Sequence, residues 1–241
     1  MTEQEDIKRV NKQIELLHPK PYKEIRTEQE IPDKNLQVNG LKPWSKTKAL
    51  HPQMVVGMCG KKGAGKNAVA RLLTAAYGFK EVSFAYHLRL ELLERFPELS
   101  MDDLTSVTTK ELYRPLMQWY GTEYRRNQDV EYWVNKLRPE VTALLSQGNS
   151  VVVTDVRFLN EINFVRNLGG INLWIAGDKV WSADSHSSES SITYTNATYV
   201  INNDRFDAPN TVKQLESVMG NKGYPPIGKS AGIKWIKSFN T

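Results

Sequence analysis

A glycine-rich turn near residue 60 has the residue types and the spacing that bind phosphate. Gly60, Gly65 and Lys66 fit the pattern G-x-x-x-x-G-K. Glycines at these positions permit positive φ angles, which let backbone N–H groups close around phosphate oxygens. The N-terminus of a following helix would add partial positive charge, and Lys66 adds a full charge. The chemistry that this turn predicts is the binding of a nucleotide's phosphates.

The segments on either side have the order that such a phosphate-binding loop (P-loop) requires. Met54 to Cys59 is an apolar run typical of a buried strand, and Asn67 to Tyr77 is typical of a helix that ends at Gly78. The alternative is an ordinary glycine-rich turn between a strand and a helix. On the P-loop interpretation, the residues that contact the nucleotide are Gly60, Gly63, Ala64, Gly65, Lys66, Asn67 and Ala68.

Two side chains are candidates for holding Mg²⁺. Most P-loops place Ser or Thr after the lysine, whereas this chain has Asn67 and then Ala68, so the loop offers a neutral amide oxygen or a water. Asp155 follows the predicted strand Ser150 to Thr154 and would lie at its carboxyl end, where an acid can hold the metal directly or through water. An acid can also end a strand without any function.

Arginines are a further signal of phosphoryl chemistry, because fixed guanidinium groups stabilise the charge that spreads over a phosphate during its transfer. The candidates are Arg114, Arg125, Arg126 and Arg157. Any one of them can equally be a solvated surface residue. Arg157 stands out because it lies two residues after Asp155, in the loop where a ligand should lie.

Predicted strands and helices alternate along the chain. The strands are apolar on both faces, which predicts a parallel sheet covered by helices on both sides, with ligands at the carboxyl ends of the strands. We therefore predict a doubly wound α/β domain with a mostly parallel five-stranded sheet. Its strands are Met54–Cys59, Lys80–Phe84, Ser150–Thr154, Ile171–Ala176 and Thr198–Asn202, and its later helices are Ala85–Phe96, Lys110–Tyr120, Val130–Ser146, Phe158–Leu168 and Ala208–Met219.

Composition is consistent with one core in this chain of 241 residues, 40% of them hydrophobic. We predict an N-terminal arm with a short helix at 1–53, the nucleotide domain at 54–220, and a basic aromatic tail at 221–241. The net charge of +5 suits both nucleotides and nucleic acids as partners. The single Cys59 excludes an internal disulfide, and four scattered histidines argue against zinc. Without a long apolar run or a signal peptide, we expect a soluble intracellular protein with no membrane partner.

Several segments together resemble phage deoxynucleoside monophosphate kinases. The run from Arg114 to Arg126 resembles their R-x-L-x-Q-x-x-G-T-E-x-x-R block, and DVRFLNE at 155–161 resembles their D-V-R-F-x-N-E segment. HSSE at 186–189, SFAYHLR at 83–89 and YVINN at 199–203 are similar to further segments of that family. The resemblance spans about residues 54–220 in unbroken order.

This resemblance implies a P-loop kinase fold and transfer of the ATP γ-phosphate to a deoxynucleoside 5′-monophosphate, with Mg²⁺. It implies phage DNA precursor synthesis in the cytoplasm of an infected host cell, and a homodimer. Lys66 and the amides of Gly63 to Asn67 would hold the donor phosphates, and Asp155 with Asn67 the metal. The substrate monophosphate would contact Arg114, Gln118, Glu123, Arg126 and Arg157, with Lys66, Asp155, Arg126 and Arg157 as the catalytic residues. His186 and Glu189 would lie near the site without an assigned part.

Two alternatives stay open on the sequence. The tail interleaves Lys229, Lys234 and Lys237 with Trp235 and Phe239, as a nucleic-acid surface would, so the substrate could be a hydroxymethylated base within DNA. The same aromatics could instead anchor the tail to the core. The other alternative is a non-catalytic nucleotide-binding relative, because the family usually reads G-K-D-T where this chain has Gly65-Lys66-Asn67-Ala68.

Overall fold

The computed structural model of the protein describes residues 53–106, 108–177, 186–203 and 208–224. The predicted arm at 1–53, except Gln53, lies outside these ranges, as does the predicted tail beyond Tyr224. Within these ranges, no helix combines the length and the apolar character needed to cross a lipid bilayer.

A five-stranded sheet forms the centre of the described domain, and each neighbouring pair of its strands is parallel. Its order is β2-β3-β1-β4-β5, which confirms the predicted parallel α/β architecture. The central place of β1 puts the start of the P-loop in the middle of the sheet's carboxyl edge. The strands are β1 (Val55–Cys59), β2 (Lys80–Val82), β3 (Val151–Val153), β4 (Ile171–Gly177) and β5 (Tyr199–Asn203).

Helices cover both faces of this sheet. Val56 belongs to an apolar cluster with Leu73 and Leu215, from two helices on one face. Gly57 lies against the other face, where Val165 Cγ2 would be 3.1 Å from a Cβ added to the glycine. The α-helices are α1 (Lys66–Tyr77), α2 (Phe84–Arg95), α3 (Met101–Thr105), α4 (Lys110–Gln118), α5 (Tyr132–Ser146), α6 (Leu159–Asn167), α7 (Ser187–Ser190) and α8 (Ala208–Asn221), with a 3₁₀ turn at Tyr194–Asn196.

Local capping explains where the observed elements differ from the predicted ones. The predicted strand Lys80–Phe84 is too long, because the hydroxyl of Ser83 accepts the N–H of Tyr86 at 3.1 Å and starts α2. Helix α3 was not predicted, although Ser100 and Asp103 form a capping box at its start. Beyond α8, Tyr224 is 3% exposed and contacts Ser150 through hydroxyls 2.6 Å apart.

The largest difference lies after α4, where the chain continues as a π-helix, Trp119–Arg126. The sequence predicted that this helix ends at Tyr120. Two long-range contacts hold the added segment at Gly121. Its carbonyl accepts the indole N–H of Trp133 at 2.8 Å, and Leu88 Cδ1 would lie 2.6 Å from a Cβ added there. π-Helical segments are rare and frequently mark functional sites.

Candidate active site

The P-loop joins β1 to α1 with the backbone shape that phosphate binding requires. Gly60, Gly63 and Gly65 have φ angles of 132°, 82° and 83°, in the region that glycine adopts most readily. Gly65 is the N-cap of α1, so the first N–H groups of this helix follow the loop directly. The loop therefore has the form of an anion-binding site.

Lys66 and Asn203 both contact the P-loop. The ammonium group of Lys66 donates to the carbonyls of Gly60 and Lys61 at 2.7 and 2.9 Å, which keeps its charge over the loop. At the end of β5, Asn203 donates from Nδ2 to the carbonyl of Ala64 at 2.9 Å. Asn203 ends the YVINN segment of the resemblance but had no predicted part in the site. It supports the loop from a neighbouring strand.

Asp155 lies just beyond β3, as predicted, and makes contacts that the sequence did not predict. Its two carboxylate oxygens accept the N–H groups of Phe84 and Ala85 at 2.9 and 2.7 Å, in the first turn of α2. Negative charge is stabilising at a helix N-terminus, so Asp155 ties the end of β3 to α2.

Asn67 is exposed on the first turn of α1. Its part in metal binding stays a prediction.

A cavity opens between α2, the helical segment 110–126 and the turn after β3. Its lining includes five cationic side chains and two carboxylates, and its apolar part includes Leu88, Met117 and Trp133. The P-loop lies beside this cavity. Lys62, in the loop, forms a 2.7 Å ion pair with Glu111, which is the neighbour of the lining residue Lys110 on α4. The charged residues of the lining are Arg89, Lys110, Arg114, Arg126, Arg157, Asp155 and Glu161.

The continuous helical segment explains why one sequence block lines one cavity. Arg114, Gln118, Thr122 and Arg126 recur every four residues through α4 and the π-helix, and all line the cavity. Side chains at this spacing lie close to one face of a helix. The structure thus brings the predicted residues Arg114, Gln118 and Arg126 together with Asp155 and Arg157.

Arg126 is held more tightly than the sequence predicted. Its side chain is 9% exposed, and it donates to Asn160 Oδ1 at 2.6 Å and to Glu161 Oε1 at 3.3 Å. The guanidinium carbon also lies 3.6 Å from the ring centroid of Phe158. These contacts place Arg126 in the wall of the cavity. Its predicted part in catalysis stays a prediction.

Arg125 packs against Glu91, and its candidacy for phosphoryl chemistry stays a prediction. It forms an ion pair with Glu91 outside the cavity lining, and Glu91 also accepts the hydroxyls of Tyr120 and Tyr132 at 2.8 and 2.7 Å. Burial opposes ionisation of Glu91, but the tyrosine hydroxyls and the charge of Arg125 outweigh it and lower the pKa of Glu91. Sequence alone could not separate Arg125 from its neighbour Arg126, because only the packing shows which faces the cavity.

Two cations in the lining, Arg89 and Lys110, were missed by the sequence analysis. Burial lowers the pKa of Lys110, and so do the charges of Arg89, Arg114 and Arg157. The Nε of Arg89 is buried without a hydrogen-bond partner among the residues that the structure describes. The end of the SFAYHLR segment was the available signal for Arg89. A bound anion would relieve the repulsion within this cluster.

Glu161 is a buried carboxylate that organises the turn after β3. It is 3% exposed, and its Oε2 accepts the N–H groups of Arg157 and Phe158 at 2.7 and 3.1 Å. Its Oε1 faces Arg126. Burial raises the pKa of Glu161 to about 7, against the opposing effects of the Arg157 N–H and the Arg126 charge. Glu161 ends the DVRFLNE segment but had no predicted part in the site.

Replacing Glu161 by glutamine should remove a pH dependence of stability. The carboxyl pKa rises from the ordinary value of 4.5 to about 7 on folding. Its contribution is therefore fully present below about pH 4.5 and is lost as the pH rises through about 7. Between about pH 5 and pH 8, the free energy of unfolding of the wild type should fall by about 2 kcal/mol more than that of Glu161→Gln.

Urea unfolding at both pH values measures this difference. The control is Glu111→Gln, which changes a half-exposed carboxyl on α4 and should leave the wild-type pH dependence in place. Parallel pH dependences for the wild type and Glu161→Gln would contradict the prediction.

The side chains of Glu123 and His186 meet beside the cavity. Glu123 Oε1 lies 2.9 Å from His186 Nε2, and neither residue is part of the cavity lining. The prediction that Glu123 contacts the substrate stays untested. His186 now has a defined partner, and its neighbour Ser188 lines the cavity.

Part of the chain is similar to a known protein family. Residues 104–217 match the family model described as deoxynucleotide monophosphate kinase. A relative from Acanthamoeba polyphaga mimivirus, provisionally described as a deoxynucleotide monophosphate kinase, is 27% identical over 157 residues, which cover 56% of this chain and 80% of the relative.

Among solved structures, TT1252 from Thermus thermophilus is 19% identical with a TM-score of 0.44, covering 71% of this chain and 98% of its own. Dephospho-CoA kinase from Campylobacter jejuni is 15% identical with a TM-score of 0.40, covering 69% of this chain and 98% of its own. Over residues 104–217, somewhat under half of its length, the chain is similar to the deoxynucleotide monophosphate kinase family.

Proposed function

We propose that the protein transfers the γ-phosphate of ATP to a deoxynucleoside 5′-monophosphate, forming the diphosphate and ADP. The observation that carries this proposal is the charge of the cavity beside the P-loop, where five cationic side chains outnumber two carboxylates. A nucleoside monophosphate brings about 1.5 to 2 negative charges. The excess positive charge therefore matches a second phosphate group beside the one that the P-loop would hold.

The P-loop and the cavity would each bind one of the two nucleotides. Lys66 and the N–H groups of Gly63 to Asn67 would hold the phosphates of ATP. The cationic part of the cavity, with Arg89 and Lys110, would hold the substrate's phosphate. The apolar part, which includes Trp133, would cover the nucleoside.

The transfer step needs positioning and charge neutralisation more than proton chemistry. An oxygen of the substrate's phosphate attacks the γ-phosphorus, and the bond from that phosphorus to the bridging β-γ oxygen breaks, with its electrons going to ADP. The attacking oxygen is already anionic, so no general base is required. Lys66 and Arg157 would stabilise the charge on the transferring group.

We include Mg²⁺ in the proposal, held by Asp155 directly or through water, with Asn67 as a further oxygen donor. Mg²⁺ sites commonly combine one or two carboxylates with substrate phosphates and waters, and Asp155 fits that pattern. Within the described ranges, no group of three or more His, Cys, Asp or Glu side chains could hold a metal by itself. The metal would therefore arrive with ATP, where it neutralises phosphate charge.

Asp155→Asn should raise the Mg²⁺ concentration needed for half-maximal activity by roughly 10-fold. Calorimetry of ATP binding with and without Mg²⁺ gives a readout independent of turnover, and the gain from Mg²⁺ should shrink in the variant. The thermal midpoint without metal serves as the control, because the variant also loses an acceptor for the N–H groups of α2. An unchanged Mg²⁺ titration would exclude Asp155 from the metal site.

The resemblance to phage enzymes further suggests a homodimer that supplies DNA precursors in the cytoplasm of an infected cell. Light scattering coupled to gel filtration measures the oligomeric state directly. A monomeric mass at working enzyme concentrations would reject the dimer without affecting the proposed reaction.

The experiment that tests the proposal is ADP release from ATP and Mg²⁺ with each deoxynucleoside monophosphate, ordinary or 5-hydroxymethylated. Unmodified and hydroxymethylated DNA are tested alongside. Turnover on free monophosphates would support the proposal and name the base. Turnover only on modified DNA would favour the polymer substrate, and bound ATP without turnover on any substrate would favour a non-catalytic relative.

A further inference from the structure

The hydrogen bonds of His186 fix the direction in which Ser188 can bond. Nδ1 of His186 lies 3.2 Å from the backbone N–H of Ser188, which can only donate, so Nδ1 is an acceptor. The hydroxyl of Ser188 lies 2.8 Å from the same Nδ1 and must donate its proton to it. With Nδ1 as the acceptor, the ring proton lies on Nε2, which donates to Glu123 Oε1 at 2.9 Å.

Ser188 is therefore an acceptor toward the cavity. The residue is 8% exposed and belongs to the cavity lining. Its single hydroxyl proton is committed to His186, which leaves only oxygen lone pairs for a ligand. A ligand group that faces this oxygen must carry an N–H or an O–H.

We propose that Ser188 accepts a hydrogen bond from the nucleoside part of the substrate monophosphate, and that His186 and Glu123 are positioning residues for it. This inference rests on the proposed function. An ionised phosphate offers only acceptors, so the Ser188 oxygen would repel it. The bonded donor belongs to the nucleoside, either the 3′-hydroxyl of the deoxyribose or an N–H group of the base.

The contact between Glu123 and His186 supports a positioning arrangement rather than a local turn alone. The two residues are 63 positions apart, and Glu123 follows Thr122, another residue of the lining. Glu123 holds the imidazole ring from the π-helix, and the ring holds the Ser188 hydroxyl. This gives Glu123 an indirect part in substrate binding, where the sequence predicted a direct contact.

Ser188→Ala should raise the KM for the best monophosphate about 3-fold to 10-fold, as expected for one neutral hydrogen bond, while kcat and the KM for ATP stay within about 2-fold. His186→Phe should give a similar loss, and the double variant should lose little more, because both changes remove the same bond. Ser190→Ala is the matched control, since it changes an exposed hydroxyl on the same short helix.

Substrate analogues distinguish a direct bond from a structural effect. The ratio of wild-type to Ser188→Ala kcat/KM is measured for the parent monophosphate, its 3′-deoxy analogue and an analogue with the base N–H methylated. The ratio should fall to about 1 for the analogue that lacks the bonded donor, and that analogue identifies it. Equal ratios for all three substrates would overturn the inference.

The same measurements separate this inference from the proposed function. Wild-type turnover with an unchanged KM in Ser188→Ala would reject the inference and leave the kinase proposal standing. If the wild type shows no turnover, calorimetry measures whether it binds a deoxynucleoside monophosphate. Wild-type protein that neither phosphorylates nor binds any deoxynucleoside monophosphate would overturn both.

Discussion

Lys66→Ala should reduce phosphoryl transfer by roughly 1000-fold while the protein keeps its fold. The ammonium group lies over the P-loop through its bonds to Gly60 and Lys61. In the proposed reaction it would neutralise charge on the β- and γ-phosphates. The measurement is kcat with the best monophosphate, together with circular dichroism and the thermal midpoint.

A second lysine in the same loop provides the matched control. Lys62 pairs with Glu111 at 2.7 Å instead of with the loop carbonyls. Lys62→Ala removes the same charge from the same loop, and we expect a loss of less than about 5-fold, since an exposed ion pair contributes little. Equal losses in both variants would point to a general electrostatic effect. Unchanged turnover in Lys66→Ala would remove the P-loop from the active site.

The features that sequence predicted well are those encoded locally. The apolar runs at Val55–Cys59 and Val151–Val153 became central strands, and the glycines between β1 and α1 formed the P-loop. The sequence also predicted that Asp155 and Arg157 lie near each other at the edge of the sheet, because residues just after a buried parallel strand lie at its carboxyl end. These inferences needed no knowledge of long-range packing.

The features that sequence missed depend on contacts between distant residues. The π-helix needs the indole of Trp133 to bond Gly121, and no local propensity predicts that bond. Glu161 holds the turn that carries Arg157, because its carboxylate is buried against that turn and accepts the N–H of Arg157. A polar residue in a helical pattern is ordinarily expected on the surface, so its pattern alone could not predict this position.

The carboxylates around the site show how buried charge positions the cations. Asp155 binds the first turn of α2, the helix that carries Arg89, and Glu161 binds the turn that carries Arg157. Both acids accept backbone N–H groups. Arg89 and Arg157 are thereby placed by main-chain contacts, and the cavity keeps its excess of positive charge. This arrangement makes Arg157 a strong candidate for a catalytic contact.

Arg157→Ala should lower kcat by about 100-fold to 1000-fold and change the thermal midpoint by less than about 2 °C. Its backbone N–H stays bonded to Glu161 in the variant, so the turn keeps its shape. The lost guanidinium would remove charge stabilisation in the transition state. Arg157→Lys should recover only part of the rate, because an ammonium group lacks the planar fork that binds two phosphate oxygens.

Arg125→Ala should show the opposite pattern, which makes the pair of variants decisive. Arg125 pairs with the partly buried Glu91 outside the cavity lining, so its loss should lower stability by about 1 to 3 kcal/mol and leave kcat within about 3-fold. Steady-state kinetics and urea unfolding on both variants separate a catalytic arginine from a structural one. If Arg157→Ala lowers stability and rate together, Arg157 holds the fold and the charge at the transfer point must come from another cation of the cavity.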